Sequence, residues 1–164
     1  SNNMKYILIL FLFIFTGCAS LPPNQEEILY QADIEQIFSE NLIFMIPVFD
    51  YLKYSQVNEN WFVNFKNKVN NYQAKLGTKD YDIDSNNCLD FTRLAISLAK
   101  ADNHYYNKNS SLLFGELYYQ RAKDDLHAIN IVIIGGKVRF YDAQIRTEVF
   151  LSDREKGNII FIRL

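Results

Sequence analysis

Three side chains of this 164-residue chain could carry out covalent chemistry together: Cys88, His127 and Asp142. A cysteine thiolate is a nucleophile, and an imidazole can remove a proton and return it. A carboxylate beside that imidazole fixes its tautomer and stabilises its charged form. A nucleophile, a base and an orienting group are the parts that covalent acyl transfer requires. We therefore asked which elements would bring these three residues together.

Cys88 stands at the start of a predicted amphipathic helix over residues 88–101. Ser85, Asn86 or Asn87 can cap that helix, since short polar side chains accept hydrogen bonds from its first free N–H groups. The same N–H groups and the helix dipole stabilise a negative charge. The position therefore favours the thiolate form of Cys88.

His127 and Asp142 lie at the two ends of a predicted β-hairpin. Residues 127–134 and 137–142 are rich in β-branched or alternating apolar residues, and the Gly-Gly dipeptide at 135–136 is typical of a tight hairpin turn. Because the two strands have nearly equal lengths, their outer ends should be neighbours. We therefore expect the imidazole and the carboxylate to lie side by side.

The rest of the pattern predicts helices before strands. Apolar residues at helical spacing predict helices over 26–44 and 59–76, with Pro47 between them and Gly77 after the second. Polar or turn-forming segments predict loops, and short apolar runs predict further strands. The loops are expected at 78–87, 102–111 and 121–125, and the strands at 112–120, 148–151 and 158–164. Helices followed by an antiparallel meander indicate an α+β domain.

Three stretches resemble the transglutaminase-like cysteine peptidases of the papain-like superfamily. They are Asn87-Cys88-Leu89-Asp90-Phe91, His127-Ala128-Ile129-Asn130 and Tyr141-Asp142-Ala143-Gln144. The resemblance covers residues 84–151 and implies a papain-like or transglutaminase-like core. It also implies a hydrolase or acyltransferase acting on the amide bond of a peptide or protein substrate. In that comparison Cys88 is the nucleophile, His127 the general base and acid, and Asp142 the residue that orients His127.

The resemblance leaves the donor to a developing oxyanion unassigned. The backbone N–H of Cys88 is one candidate, and the side chains of Gln144, Gln120 and Asn87 are others. The stretch also departs from the family pattern, because Asn87 and Leu89 flank the cysteine where a further acid is common. Ala143 stands where proline is often found.

Other interpretations of the same residues remain open. Free cysteine is among the most buried residue types, so Cys88 could be a structural thiol, with His127 ending a strand and Asp142 in a turn. The main alternative is a non-catalytic surface lipoprotein that uses the same fold to bind a partner. A purely structural envelope lipoprotein is a third interpretation.

The N-terminal residues predict export. Lys5 precedes an apolar run over 6–15, the layout of a secretory signal, and the run is shorter than the ~20 residues that span a bilayer. Phe15-Thr16-Gly17-Cys18-Ala19-Ser20 resembles the lipobox of bacterial lipoproteins, with Phe15 in place of the usual leucine. The prediction is a signal peptide over 1–17, lipidation of Cys18, a tether over 18–25 and one domain over 26–164. A plain signal peptide with an incidental cysteine is the alternative.

This N-terminus implies a location in the cell envelope, anchored to a membrane by lipid, and to the outer membrane if the cell is Gram-negative. It would also leave Cys88 without a disulfide partner, because the chain has two cysteines. A net charge of −2 with no basic stripe disfavours nucleic-acid binding. Two histidines and no Cys-x-x-Cys pair predict no metal site, and no cofactor is expected.

Overall fold

A computed structural model describes residues 22–76 and 87–164 of the chain. The predicted signal peptide at 1–17, the lipidation site Cys18 and the cap candidates Ser85 and Asn86 lie outside the described residues. Eight strands and four helices make up the described part. The strands are β1 Asn24–Leu29, β2 Tyr54–Val57, β3 Ser111–Leu112, β4 Phe114–Ala122, β5 Asp125–Ile134, β6 Lys137–Asp142, β7 Thr147–Val149 and β8 Ile159–Arg163. The helices are α1 Gln31–Glu40, α2 Glu59–Leu76, α3 Cys88–Tyr106 and α4 Asp153–Gly157.

The strands form two sheets. The larger sheet is antiparallel with the order β7-β6-β5-β4-β8, so four consecutive strands form a meander and the last strand returns beside β4. The smaller sheet has the order β1-β2-β3, in which β1 and β2 are antiparallel and β2 and β3 are parallel. None of the helices in the described residues is long and apolar enough to cross a membrane.

The hairpin between β5 and β6 has the predicted turn. Gly135 and Gly136 have φ angles of 57° and 72°, which a side chain would strain and which a type I′ turn requires. The pairing of Ile134 with Lys137 and of Asn130 with Tyr141 fixes the register of the two strands. The turn thereby sets which residues meet at the far end of the hairpin.

The prediction that helices precede the strands is wrong. The first four residues of the helix predicted over 26–44 lie in β1, where pairing with β2 satisfies the backbone groups, and only Gln31–Glu40 is helical. The strand β2 was not predicted, nor was the short helix α4, which Ser152 caps. The described part therefore begins with a strand and has β2 between α1 and α2, ahead of the run of strands from β3 to β7.

The larger sheet is covered by helices on both faces, which explains why its central strand is almost wholly apolar. Successive residues of β5 point to opposite faces. Ile129, Ile131 and Ile133 pack in one cluster with Phe38 of α1. Val132 and Ile134 pack in a second cluster with α2 and α3. Burial on both faces fixes β5 and therefore the position of His127 near its start.

Candidate functional site

Cys88 is the first residue of α3, and the helix begins there because Asn87 caps it. The Asn87 side-chain oxygen accepts hydrogen bonds from the backbone N–H groups of Leu89 and Asp90, at 3.0 and 3.4 Å. In return the Asp90 carboxylate accepts a hydrogen bond from the Asn87 N–H at 3.0 Å. This reciprocal arrangement satisfies the free donors of the first turn and fixes the position of the thiol. Cys88 is unpaired and half-buried.

Two buried polar side chains attach the start of α3 to the larger sheet. The Thr92 hydroxyl donates to the carbonyl oxygen of Cys88 at 2.8 Å and lies 3.1 Å from that of Ala128 in β5. The Asn130 amide donates to the carbonyl oxygens of Thr92 and Gly115, at 3.0 and 3.2 Å. These bonds hold the helix terminus against β5 and β4. No local sequence pattern indicates this role for Thr92 or Asn130.

The hairpin brings His127 and Asp142 into contact, as its register predicts. Nε2 of His127 lies 2.7 Å from Oδ2 of Asp142, and the two side chains are about nine-tenths buried or more. The other carboxylate oxygen accepts hydrogen bonds from the backbone N–H groups of Gln144 and Ile145, at 2.9 and 3.4 Å. Asp142 is thus held by its own turn and cannot rotate away from the imidazole.

His127 also contacts Cys88, which makes the three residues one electrostatic unit. The hydrogen bond with His127 lowers the pKa of the Cys88 thiol, although burial opposes the effect. Burial disfavours the charged imidazole, but the hydrogen bonds with Asp142 and Cys88 outweigh it and raise the pKa of His127 to about 9. Both shifts favour a thiolate beside an imidazolium at neutral pH.

The unit opens onto a small polar pocket of about 320 Å³. Gln144 lines this pocket with Cys88, His127 and Asp142, whereas Gln120 and Asn87 are not among its lining residues. The Asn87 side chain is engaged in capping α3. Of the three side chains considered as oxyanion donors, only Gln144 is placed at the pocket.

Two residues that the sequence did not single out form one wall of the pocket. Arg121 and Asp125 make a paired contact in which Nε and Nη2 each lie 3.0 Å from a carboxylate oxygen. Opposite charges four residues apart, on the two sides of the turn between β4 and β5, are the sequence signal for this pair. Within residues 22–76 and 87–164, no group of three or more His, Cys, Asp or Glu side chains could hold a metal ion.

A second and larger cavity of about 720 Å³ lies at the other end of α3, and we call it the lysine-lined cavity. Its wall combines aromatic rings with amide, hydroxyl and lysine side chains. The lining residues are Gln31, Phe49, Asp50, Tyr51, Leu52, Lys53, Lys100, Asn103, His104, Asn107, Lys108, Asn109, Ser110 and Ser111. Nothing in the sequence pattern pointed to this site, since its residues come from three separated segments, residue 31, residues 49–53 and residues 100–111.

The aromatic wall of the lysine-lined cavity is anchored by the buried Tyr54. Its hydroxyl oxygen accepts a hydrogen bond from the Tyr51 N–H at 2.8 Å and donates to the Leu164 carbonyl at 3.3 Å. The rings of Phe49 and Tyr51 pack on the Tyr54 ring with centroid separations of 6.0 and 6.1 Å. The Tyr51 side chain nevertheless remains half exposed, and it lines the cavity. The wall is therefore fixed while its outer ring stays accessible.

Comparison by sequence identifies no relative, since no family model matches the chain and no curated protein matches it. Comparison of structures does find similar folds. One is the Polyporus squamosus lectin bound to the human-type influenza-binding epitope Neu5Aca2-6Galb1-4GlcNAc, with a TM-score of 0.60 and 14% identity over 84% of this chain. Another is described as a PSL1a-E64 complex, with a TM-score of 0.61 and the same identity and coverage.

These similarities correct the predicted family. This chain spans about half the length of each of the two matched chains, 49% and 51%. At 14% identity the similarity concerns the fold, and that fold is one found in a lectin. The predicted papain-like or transglutaminase-like core is therefore wrong. The inferred cysteine hydrolase or acyltransferase with a peptide substrate is wrong with it, and the described residues have a fold similar to that of these two neighbours.

Proposed function

We propose that this protein binds a carbohydrate-bearing partner without hydrolysing it, and that the lysine-lined cavity is the binding site. The observation that carries the proposal is the composition of the cavity wall. A saccharide presents an apolar C–H face and several hydroxyl groups, so it needs an aromatic surface beside fixed donors and acceptors. Tyr51 and Phe49 supply the first, and Asn103, Asn107 and Ser110 supply the second.

The size of the cavity and the fold support the same proposal. A volume of about 720 Å³ falls within the range of roughly 300–1,000 Å³ that small-ligand sites occupy. One protein of similar fold is a lectin described with a bound glycan. This chain covers about half of that lectin, so the proposal depends on the cavity described above and takes only the class of ligand from the comparison.

The test is retention of the full chain on a panel of immobilised glycans, with Tyr51→Ala as the decisive variant. Removing the exposed ring should reduce binding at least about fivefold, if stacking of a sugar ring on Tyr51 contributes about as much as the 1–3 kcal/mol of a nucleobase on an aromatic side chain. Tyr72→Ala is the matched control, because Tyr72 is 41% exposed and Tyr51 is 50% exposed, and Tyr72 does not line the cavity. Absence of binding to every glycan, or equal loss in the two variants, would overturn the proposal.

A second candidate function rests on the pocket beside Cys88. We propose that the thiolate there captures an electrophilic ligand covalently and stoichiometrically, with Cys88 as nucleophile, His127 as proton donor and Asp142 as the positioning residue. With an epoxide the C–S bond forms, the C–O bond breaks, and the resulting alkoxide takes the proton of the His127 imidazolium. The charged Cys88–His127 pair favours this function. One neighbour of the same fold is described in a complex with E64.

Intact-mass measurement tests the second function directly. The full chain carrying Cys18→Ser has one thiol, so each adduct with iodoacetamide or E64 reports on Cys88. One adduct per chain is expected, formed at least tenfold more slowly by His127→Gln at pH 7 and not at all by Cys88→Ala. A rate equal to that of free cysteine would show that the thiol is not activated.

A further inference from the structure

Lys100 is a half-buried charged group in the lysine-lined cavity. Its Nζ lies 4.9 Å from the centroid of the Tyr51 ring, and the side chain is half-buried between α3 and the segment that carries Tyr51. Burial lowers the pKa of Lys100. None of the ion pairs found within the described residues includes this lysine. A cation–π contact therefore compensates only part of its lost hydration.

Asp50 is the carboxylate that interacts most strongly with the charge of Lys100, and it already forms an ion pair with Arg163. Both carboxylate oxygens of Asp50 lie close to Nε of Arg163, at 3.1 and 2.9 Å. The remaining titratable lining residues are cationic or neutral: Lys53, Lys108 and His104. With three lysines against one paired carboxylate, the cavity carries a positive potential. An anionic group on the ligand would neutralise part of this positive charge.

The polar wall next to Lys100, at the C-terminal end of α3, is held in place before any ligand arrives. The Asn103 and Asn107 amides donate to the carbonyl oxygen and the hydroxyl oxygen of Ser110, each at 2.9 Å. The Ser110 hydroxyl in turn donates to the Ser55 hydroxyl oxygen at 3.2 Å, which ties the loop to β2. A fixed wall reduces the entropy lost on binding and favours a ligand of defined shape over a diffuse counterion.

We infer that the lysine-lined cavity selects an acidic saccharide, with the carboxylate of the sugar against Lys100 and the sugar ring against the aromatic and amide wall. This inference rests on the proposed carbohydrate-binding function and specifies its ligand class. A carboxylate close to a half-buried ammonium forms a charge-assisted hydrogen bond, about twice as strong as one between neutral groups. A uronic acid should therefore bind more tightly than the neutral sugar of the same configuration.

Galacturonate and galactose provide the matched pair, since they differ only in whether C6 is a carboxylate or a hydroxymethyl group. In calorimetric or NMR titrations of the full chain at low salt, galacturonate should bind at least about tenfold more tightly. The advantage should shrink as salt is raised, because part of the cavity faces solvent. Inorganic phosphate is the third ligand and reports binding of an anion without a sugar ring.

Variants of Lys100 test whether this lysine causes the preference for galacturonate over galactose. Lys100→Gln should lose the preference for galacturonate, whereas Lys100→Arg should retain it. Lys75→Gln, at an exposed position on α2, should behave as the wild type. If a glutamine variant fails to fold, as seen by circular dichroism, Lys100→Arg and the salt series still test the inference.

The possible outcomes separate this inference from the function on which it rests. Equal binding of the two sugars would overturn the acidic selectivity and leave carbohydrate binding standing. Binding of neither sugar would overturn both. Phosphate binding as tight as galacturonate binding would show an anion site without saccharide recognition, which also overturns the inference.

Discussion

His127 Nε2 and Asp142 Oδ2 lie 2.7 Å apart at the open end of the β5–β6 hairpin, where both side chains are buried. The contact engages one ring nitrogen, and the imidazole also forms a hydrogen bond with the thiol of Cys88. Because Asp142 is also fixed by backbone N–H groups of its own turn, the orientation of the imidazole is set by the sheet. The charge state of the Cys88 thiol therefore depends on Asp142 in β6, which acts through His127.

Substitution of His127 should change the pH dependence of thiol alkylation. In a Cys18→Ser background the rate for the wild type should reach half its maximum below pH ~8.5, the ordinary thiol value. His127→Gln should move that midpoint above the ordinary value, because the favourable hydrogen bond is lost and burial remains. Iodoacetamide kinetics between pH 5 and pH 10 measure both midpoints. His104→Gln is the control, and identical profiles for His127→Gln and the wild type would refute the coupling.

Asp142→Asn should destabilise the fold in a pH-dependent way. We specify a Cys88→Ala background, so that thiol titration and the Cys88 hydrogen bond make no contribution. Asp142 raises the pKa of His127 above the unfolded value of about 6.5, so the charged ring stabilises the fold fully below that pH. The stabilisation is lost as the pH rises through the raised pKa. The difference in unfolding free energy between the two chains, about 1–3 kcal/mol at pH 6, should therefore shrink by pH 10.

Urea unfolding at pH 6, 8 and 10 measures this difference. Asp153→Asn provides the control, since the Asp153 side chain is 81% exposed and its ion-pair distance is 3.9 Å. That variant should differ little from its parent at any of the three pH values. A constant difference for Asp142→Asn across the range would mean that the carboxylate stabilises the fold without charging the imidazole.

The hairpin and the start of α3 could be predicted because local sequence determines them. A Gly-Gly turn restricts the pairing of its flanking strands, and a short polar side chain before an apolar helical repeat marks a helix start. The proximity of His127 to Asp142 and the position of Cys88 at a helix terminus follow from these two signals. The assignment of those residues to a peptidase did not follow, because a local constellation of side chains does not determine the fold or the activity.

The order of elements and the lysine-lined cavity required information that no local pattern contains. The stretch from Glu26 has helical spacing, but pairing of β1 with Tyr54–Val57, about 25 residues away, makes it a strand. The cavity assembles Gln31, Tyr51 and Lys100 from three separated segments. Each of them looks like an ordinary surface or loop residue when it is read alone.

Asn87→Ala should weaken the start of α3 and lower the unfolding free energy by about 1 kcal/mol. Two backbone N–H groups, those of Leu89 and Asp90, lose their acceptor, and the reciprocal bond from the Asn87 N–H to Asp90 loses its geometry. Chemical denaturation measures the loss. Asn64→Ala, at an exposed position within α2, is the matched control and should be neutral or slightly stabilising. Equal effects of the two substitutions would show that the cap contributes nothing.

Gly115→Ala adds a methyl group to the larger sheet and should strongly destabilise the fold. A Cβ atom at Gly115 would lie 2.2 Å from the carbonyl oxygen of Arg163 and 2.8 Å from a methyl carbon of Leu164. Backbone atoms cannot move aside as a side chain can, so β8 must shift away from β4, where Glu116 pairs with Arg163. We expect a loss of about 3–5 kcal/mol in unfolding free energy, as for severe overpacking. Gly157→Ala adds the same methyl group where no atom lies within 4 Å, so its effect should stay within about 1 kcal/mol. Thermal and urea denaturation measure the stabilities of the two variants. Equal stabilities would contradict the predicted contact between a Cβ atom at Gly115 and the carbonyl of Arg163.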